Sequence, residues 1–277
     1  MNLEGKTAIV TGAGTGIGRE LALAFARSNM RVVCAGRRKE LIEETTHRIV
    51  RDGGEAAAIP ADVTQPDAVD ALVRAALVRF GQIDVLFNSH GSFASVGSLW
   101  EADPALWWQD VTVNLLGSML CCRAVLPHML RRNSGIVINM DGGGGSIGPN
   151  IGGSGYGCSK AALVRFTEGL ARELEQARSD VLAFCMDPGF VATDMTRGIA
   201  RTPGGRKWLP FVQEWIDQGV GFPPDACARA TLRLLAIASK ELSGRVFNVS
   251  TNFDEVAARK AKIARDNLLV LHLKVRD

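Results

Sequence analysis

The chain has 277 residues, of which 47% are hydrophobic and 22% charged, a balance typical of a globular domain with a large core. The net charge of +3 is too small to indicate a nucleic-acid or membrane partner, and no apolar run is long enough to predict a membrane span. The six cysteines lack metal-ligand spacing, so we expect reduced thiols, no metal site and a cytoplasmic protein without a secretory signal.

Short apolar runs alternate with helical patterns along the chain. This alternation predicts an α/β fold, a single doubly wound domain of the Rossmann type with about seven parallel strands and helices on both faces. We predict strands over residues 6–11, 31–36, 56–60, 83–88, 135–140, 181–186 and 245–249. Helices are predicted over residues 17–28, 39–51, 66–79, 104–131, 157–177 and 224–237.

Capping residues indicate where individual helices begin and end. Thr64 is expected to cap the third helix and Gly81 to end it, while Asp103 and Pro104 open the fourth.

The domain is predicted to span residues 1–252, with residues 253–277 as its C-terminal helical and apolar extension. Residues 189–223 interrupt the alternation with glycine, proline and bulky apolar side chains. We interpret them as a lid over a substrate pocket, the alternative being a packed surface excursion.

A glycine-rich segment joins the first strand to the first helix. Glycines permit a sharp turn there and let backbone N–H groups approach a pyrophosphate, whose charge is stabilised by the helix N-terminus. This position in a βαβ series predicts a dinucleotide site. Its expected contacts are Gly12, Gly14, Thr15, Gly16, Ile17 and Gly18.

The second predicted strand ends in Gly36, followed by Arg37 and Arg38. A carboxylate at this point would bind the ribose hydroxyls of NAD, whereas arginine pairs with the 2′-phosphate of NADP. NADP(H) is therefore the predicted cofactor, with NAD(H) second. The alternative is that both arginines are simply solvated.

Tyr156 is the only tyrosine of the chain, and Lys160 follows it by four residues. On a helix this spacing places both side chains on one face. An ammonium group beside a phenol favours the phenolate, lowers the pKa of the phenol and makes it a usable general acid/base. A bare pair of this kind is weak evidence, but downstream of a dinucleotide loop it predicts a catalytic site.

Taken together, residues 3–250 resemble the short-chain dehydrogenase/reductase family. The glycine-rich segment and the pair Tyr156 and Lys160 match its two main motifs, and Asn114 matches a helix asparagine that anchors a proton-relay water. The resemblance also implies a homodimer or homotetramer. It implies further cofactor contacts from Asp62, Val63, Asn88, Gly91, Pro188, Gly189, Val191 and Thr193, together with Tyr156 and Lys160 themselves.

One segment departs from the family pattern. The fifth strand of the family ends in two serines, the second of which binds the substrate carbonyl, but Asp141 and Gly142 stand there. Three interpretations are open. Ser146 could replace the missing hydroxyl, or another group such as Ser154 or Asp141 could do so. In the third, redox activity is lost while the cofactor site is kept. Losing one oxyanion donor costs about 10²–10³ in rate, so we expect retained activity, with Ser146 as the substitute.

The predicted function is NADP-linked reduction of a ketone or oxidation of a secondary alcohol, with Tyr156 transferring the proton. Lys160 is expected to lower the pKa of Tyr156 and to hold the nicotinamide ribose. Aromatic residues at Trp100, Trp107 and Trp108 and in the lid favour an apolar small-molecule substrate, the alternative being that the tryptophans form core or subunit contacts. Two alternatives are a cofactor-binding sensor with weak or no catalysis and an enzyme that reduces an activated carbon–carbon double bond. His90 stands where the family has alanine, either for packing or for contact with the nicotinamide.

Overall fold

The computed structural model describes residues 2–271 and contains one seven-stranded parallel sheet. The strand order is β3-β2-β1-β4-β5-β6-β7, which confirms the predicted doubly wound fold. The strands are β1 (Thr7–Thr11), β2 (Arg31–Gly36), β3 (Glu55–Pro60), β4 (Val85–Asn88), β5 (Ile136–Met140), β6 (Leu182–Asp187) and β7 (Val246–Asn248).

Helices cover both faces of the sheet. They are α1 (Gly16–Arg27), α2 (Lys39–Arg51), α3 (Pro66–Phe80), α4 (Pro104–Val111), α5 (Gly117–Arg132), α6 (Ser154–Gln176), α7 (Asp194–Arg201), α8 (Pro203–Trp208), α9 (Pro210–Asp217), α10 (Ala226–Ile237) and α11 (Phe253–Arg265). A π-helical segment, Thr112–Leu116, joins α4 to α5 without a break. The predicted helix over 104–131 is therefore one continuous helical stretch with a widened turn in its middle.

The core lies in two layers, one on each side of the sheet. Along β1, Ala8 and Val10 pack with residues of α1 and α10, whereas Ile9 packs with residues of α3 and α5. Because successive side chains point to opposite faces, a strand covered on both sides has apolar residues at consecutive positions. This burial explains the continuous apolar runs from which the strands were predicted.

Two of the three predicted helix ends are confirmed. Gly81 ends α3 in the left-handed conformation with φ of +77°, and the Asp103 side chain accepts a hydrogen bond from Ala105 N at 2.8 Å. The prediction for Thr64 was wrong. Gln65 stands at the N-cap position of α3 without a capping hydrogen bond from its side chain, and the Thr64 hydroxyl donates to Asp62 Oδ1 at 2.8 Å.

The predicted lid, residues 189–223, contains the three short helices α7, α8 and α9. Pro203 and Pro210 stand at the first positions of two of these helices, where a missing N–H costs nothing, so they begin helices. A small separate core holds the lid together, formed by Ile199, Ala200, Leu209 and Val212 and packed against Phe93, Val96, Phe190 and Ile216.

The C-terminal extension folds back onto the domain. After α11, Leu269 O accepts a hydrogen bond from Val246 N of β7 at 2.9 Å, and Leu271 N donates to Glu168 Oε1 of α6 at 2.7 Å. Residues 272–277, which include the end of the predicted extension, lie outside the described residues.

The helical stretch Pro104–Arg132 is long and apolar enough to cross a membrane, but half of its apolar window is buried inside the domain. A core helix of this fold has the same character, because it packs against the sheet.

Candidate active site

A cavity of about 1010 Å³ opens at the carboxyl ends of β1 and β4. These two neighbouring strands mark the point at which the strand order reverses, where doubly wound folds bind their ligands. The glycine-rich loop, Tyr156, Lys160 and the lid all contribute to the cavity wall. The sheet topology thus unites motifs that lie more than a hundred residues apart in the sequence.

The glycine-rich loop is shaped by steric demands that only glycine meets. Gly12 and Gly16 have φ of +67° and +51°, in the left-handed region. A Cβ at Gly18 would lie 2.3 Å from Gly12 O, so the first turn of α1 packs directly on the loop backbone. The start of α1 is therefore open to a ligand, with Gly16, Ile17 and Gly18 lining the cavity.

The structure brings nearly all predicted cofactor residues to this cavity. Those that line it are Gly12, Gly14, Thr15, Gly16, Ile17, Gly18, Arg37, Arg38, Asp62, Val63, Gly91, Tyr156, Lys160, Pro188, Gly189, Val191 and Thr193. The exception is Asn88, which is buried behind the wall and donates through Nδ2 to Asn139 Oδ1 at 2.8 Å. The contact of Asn88 with the cofactor stays a prediction. The Asn88 amide links the neighbouring strands β4 and β5.

Arg37 and Arg38 follow β2 directly and are exposed at one end of the cavity. Arg38 Nη2 donates to Thr15 Oγ1 at 3.4 Å, which ties this arginine to the glycine-rich loop. The two guanidinium groups place positive charge where the adenosine end of a dinucleotide would lie in this fold.

His90 contacts the cavity but is held by protein partners. Its Nδ1 lies 2.7 Å from Thr11 Oγ1, and its Nε2 lies 3.4 Å from Ser118 Oγ. A Cβ at Gly117 would lie 2.9 Å from Nε2, so this glycine leaves room for the imidazole. Burial lowers the pKa of His90 to about 3, and the ring is neutral near pH 7.

Tyr156 and Lys160 lie on the first two turns of α6, and Lys160 is buried. Lys160 Nζ donates to Met140 O at 2.7 Å and lies 5.6 Å from the centre of the Tyr156 ring. Burial lowers the pKa of Lys160 to about 8. The ammonium group of Lys160 therefore lies near the Tyr156 ring, as the spacing of four residues predicts.

The protein does not lower the pKa of the Tyr156 phenol, contrary to the sequence prediction. Burial raises this pKa, and the nearby carboxylates of Asp141, Asp187 and Asp110 raise it further. The prediction considered Lys160 alone, but three acidic groups and a low-dielectric environment act in the opposite direction. In this structure the phenol is kept protonated.

The segment after β5 forms a tight glycine turn. Gly145 N donates to Gly142 O at 3.0 Å, and the Ser146 backbone N–H and hydroxyl donate to Asp141 Oδ2 at 3.1 and 2.5 Å. Ser146 is exposed and does not line the cavity. The turn directs the Ser146 hydroxyl back to Asp141, and the role of Ser146 in place of the catalytic serine stays a prediction.

Two other predicted site residues, Ser154 and Asn114, also form hydrogen bonds within the protein. Ser154 Oγ accepts a hydrogen bond from Trp107 Nε1 at 3.0 Å. Asn114 is fully buried in the π-helical segment, and its amide bonds to both Ser92 and Ser159. Neither Ser154 nor Asn114 lines the cavity. The water-anchoring role of Asn114 stays a prediction.

Sequence reasoning missed Phe93, Asp110 and Asp187. Phe93 stacks on Tyr156, while Asp110 and Asp187 are buried carboxylates whose charges act on the phenol. Two of them carried a readable signal. Asp187 stands directly before Pro188, and Asp110 precedes Asn114 by four residues, on the same helix face. Among residues 2–271 no cluster of three or more histidine, cysteine or acidic side chains is arranged to hold a metal ion.

Comparison with known proteins agrees with this geometry. The family model for short chain dehydrogenases matches residues 6–204. A 3-oxoacyl-acyl-carrier-protein reductase of Synechocystis sp. is 34% identical over 250 residues, which cover 89% of this chain and 96% of that protein.

Two solved structures have the same architecture. A metagenomic short-chain oxidoreductase in complex with NADP superimposes with a TM-score of 0.69 at 29% identity, covering 87% of this chain and 94% of its own. A variant of actinorhodin polyketide ketoreductase with NADPH gives 0.78 at 27% identity, covering 88% and 95%. The family model and the relative agree with the cavity motifs, and the chain belongs to the short chain dehydrogenase family.

Proposed function

We propose that the protein is an NADP(H)-linked oxidoreductase that reduces a ketone to a secondary alcohol, with Tyr156 as the proton donor. The observation that carries the proposal is that Tyr156 and Lys160 line the same cavity as the glycine-rich loop. Family membership supports an oxidoreductase acting on CH–OH or C=O groups.

The residues present fit a nicotinamide dinucleotide. The glycines of the loop from Gly12 to Gly18 line the cavity where a pyrophosphate would lie, and close packing of Gly18 on Gly12 O brings the start of α1 to the same place. Arg37 and Arg38 offer guanidinium groups to a 2′-phosphate, which favours NADP(H) and leaves NAD(H) as the weaker ligand. The cofactor, when bound, supplies or accepts the hydride.

The chain's own task is to deliver and replace one proton. Tyr156 holds that proton on its hydroxyl, and Lys160 stands one helical turn away, where it would also hold the nicotinamide ribose. The buried carboxylates around the phenol favour its protonated form. A protonated phenol donates to a developing alkoxide, so reduction is the favoured direction near neutral pH, and alcohol oxidation needs alkaline conditions.

An apolar ketone fits the substrate side of the cavity best. The lid contributes apolar and aromatic walls, namely Phe190, Met195, Ile199, Leu209, Phe211, Val212, Trp215, Val220 and Phe222. Apart from Arg37 and Arg38, Lys160 is the one cationic side chain among the described residues that line the cavity. Its ammonium group already donates a hydrogen bond to Met140 O. A substrate carboxylate or phosphate would therefore find no cationic partner under the lid, and a neutral substrate is favoured.

The second candidate is a cofactor-binding sensor with weak or no catalysis. It is favoured by one specific feature, the absence of a side chain at Gly142, where the family places its carbonyl-binding serine. Reduction of an activated carbon–carbon double bond is a further alternative, which product analysis with an enone distinguishes from carbonyl reduction.

The proposal also includes a homodimer or homotetramer, which light scattering tests, and a cytoplasmic location, which cell fractionation tests.

The deciding experiment compares the wild-type protein with Tyr156→Phe. NADPH and NADH binding is measured by calorimetry, and NADPH oxidation is followed against a panel of cyclic and aromatic ketones. We expect turnover in the wild type and a loss of at least about 10²-fold in Tyr156→Phe with unchanged cofactor affinity, because the variant keeps the ring and loses only the proton. Tight binding without turnover over the whole panel would favour the sensor.

A further inference from the structure

The loop of residues 92–95, which follows β4, is held from one side by a buried carboxylate. Asp110 of α4 has no solvent exposure, and its Oδ1 accepts hydrogen bonds from Ser92 Oγ and Ala94 N, both at 2.7 Å. Its Oδ2 accepts from Ser95 N at 3.1 Å. Three donors from four consecutive residues thus stabilise one buried charge and fix the loop against α4.

Asn114 holds the same loop one helical turn further on. Its Oδ1 accepts from Ser92 N at 2.7 Å, and its Nδ2 donates to Ser92 O at 2.9 Å. The same Nδ2 donates to Ser159 Oγ at 2.8 Å, and the Ser159 hydroxyl donates to Tyr156 O at 2.6 Å. Asn114 therefore connects the loop to the backbone of the catalytic tyrosine.

Phe93 is the loop residue that reaches the phenol. Its ring stacks on the Tyr156 ring with centres 4.4 Å apart and planes within 7°. A Cβ at Gly153 would lie 2.5 Å from Phe93 Cζ, so the edge of the Phe93 ring also packs against the Gly153 backbone. The Phe93 ring therefore contacts both the phenol and the start of α6.

We propose that Phe93 is a positioning residue for Tyr156, and that Asp110 and Asn114 act through it by clamping the loop. This inference rests on the proposed function, in which Tyr156 donates the proton. The clamp holds the phenol from two directions, through the stacked ring and through Ser159 on the helix backbone. A reaction that transfers a proton to a fixed substrate atom depends on such placement, and a small displacement of the donor lowers the rate strongly.

The single tyrosine makes the test site-specific. Protein labelled with ¹³C-tyrosine gives ring resonances from Tyr156 alone, and a phenylalanine ring stacked on them shifts their protons upfield. We expect Phe93→Leu to abolish this shift and Asp110→Asn to reduce it, because an amide cannot accept from all three loop donors. Asp103→Asn is the matched control, since it alters a carboxylate on the same helix that bonds only Ala105 N.

Kinetics supply the functional half of the test. We expect Phe93→Leu and Asp110→Asn to lower kcat roughly 10- to 100-fold with little change in the KM for NADPH, because the donor is displaced while the cofactor loop is untouched. Phe93→Tyr, used only in the kinetic assay, keeps an aromatic ring at the stack and should retain most of the rate. Asp103→Asn should behave as wild type in both assays.

Two results would overturn the inference. A Tyr156 resonance unchanged in Asp110→Asn would show that the carboxylate does not hold the ring, and an unchanged kcat in Phe93→Leu would show that stacking does not position the donor. Lack of turnover in the wild type would refute the proposed function instead. The Tyr156 resonance would still show whether Phe93 and Asp110 hold the Tyr156 ring in place, since it is measured without substrate.

Discussion

A side chain added at Gly142 would place its first carbon 2.3 Å from the hydroxyl oxygen of Tyr156. The phenol thus occupies the space from which the carbonyl-binding serine of the family would extend. The turn that follows, closed between Gly145 N and Gly142 O, holds the backbone in this position. Glycine at 142 is therefore matched to the position of the tyrosine.

Restoring the family serine should consequently impair the protein. We expect Gly142→Ser to lower kcat/KM about 10-fold or more, because the new side chain displaces the Tyr156 hydroxyl or strains the turn. Gly143→Ser is the control, since its Cβ would meet only the Asn150 amide, 3.2 Å from Oδ1. A rise in kcat/KM for Gly142→Ser would mean that the turn yields and that the missing hydroxyl limits the rate.

The arginines at the end of β2 should set the cofactor preference. We expect Arg37→Asp to raise the Kd for NADPH roughly 10- to 100-fold and to change the Kd for NADH far less, because a charge-assisted bond to the 2′-phosphate is lost. Calorimetric titration with both cofactors measures the change. Lys39→Asp, at the exposed first residue of α2, controls for the general effect of charge reversal. Equal losses for both cofactors would contradict the assignment.

Burial of Lys160 should make stability depend on pH. Its pKa is lowered from 10.5 to about 8, so between these values the unfolded chain binds more protons than the native protein. Lys160 should therefore contribute about 2 kcal/mol more to the free energy of unfolding at pH 9.5 than at pH 7. Buried thiols such as Cys34, whose pKa is raised by burial to about 11, act in the opposite direction in the wild type and in Lys160→Met alike, so the Lys160 contribution is the difference between the two proteins. Lys160→Met should lack this contribution and be inactive.

Urea denaturation of both proteins at the two pH values measures the difference, with the exposed Lys39→Met as control. Parallel changes in the wild type and Lys160→Met would show that Lys160 is not the source.

His90 and Gly117 should be energetically coupled. Alanine at 117 would bring its Cβ to 2.9 Å from His90 Nε2 and 2.8 Å from Val63 Cγ2, so we expect Gly117→Ala to lower the free energy of unfolding by about 1–3 kcal/mol. In a His90→Ala background part of this loss should disappear, giving a coupling of at least about 0.5 kcal/mol. Urea denaturation of the four proteins measures the cycle. Strict additivity would contradict the packing interpretation.

Sequence patterns specified the sheet well because burial leaves a direct trace. Strands such as β1 are covered on both faces, so the consecutive central positions Ala8, Ile9 and Val10 are all apolar and the run is visible without a structure. The left-handed glycine at 81 and the capping carboxylate at 103 act locally, within one turn of helix, and were equally readable. The cofactor wall followed from motif order, since parallel strands place their carboxyl ends at one edge.

The sequence was least informative where distant groups meet. Ser146 carries no sign in the sequence that its hydroxyl returns to Asp141, and the effect of Lys160 on Tyr156 cannot be weighed without knowing which carboxylates surround the phenol. The short helices of residues 189–223 were not predicted, and Pro203 and Pro210 each begin one of them. Asn88 was assigned by its place in a motif, while its direction is fixed by Asn139 on the neighbouring strand.

The hydrogen bond from Val246 N to Leu269 O has a consequence for association. β7 is the last strand of the sheet, and an unpaired edge strand offers its backbone to any other extended chain. By laying its own C-terminal segment against this edge, the protein occupies a backbone donor through which two sheets would otherwise join. Shortening the chain before Leu269 would expose that donor and create a template for strand addition and aggregation.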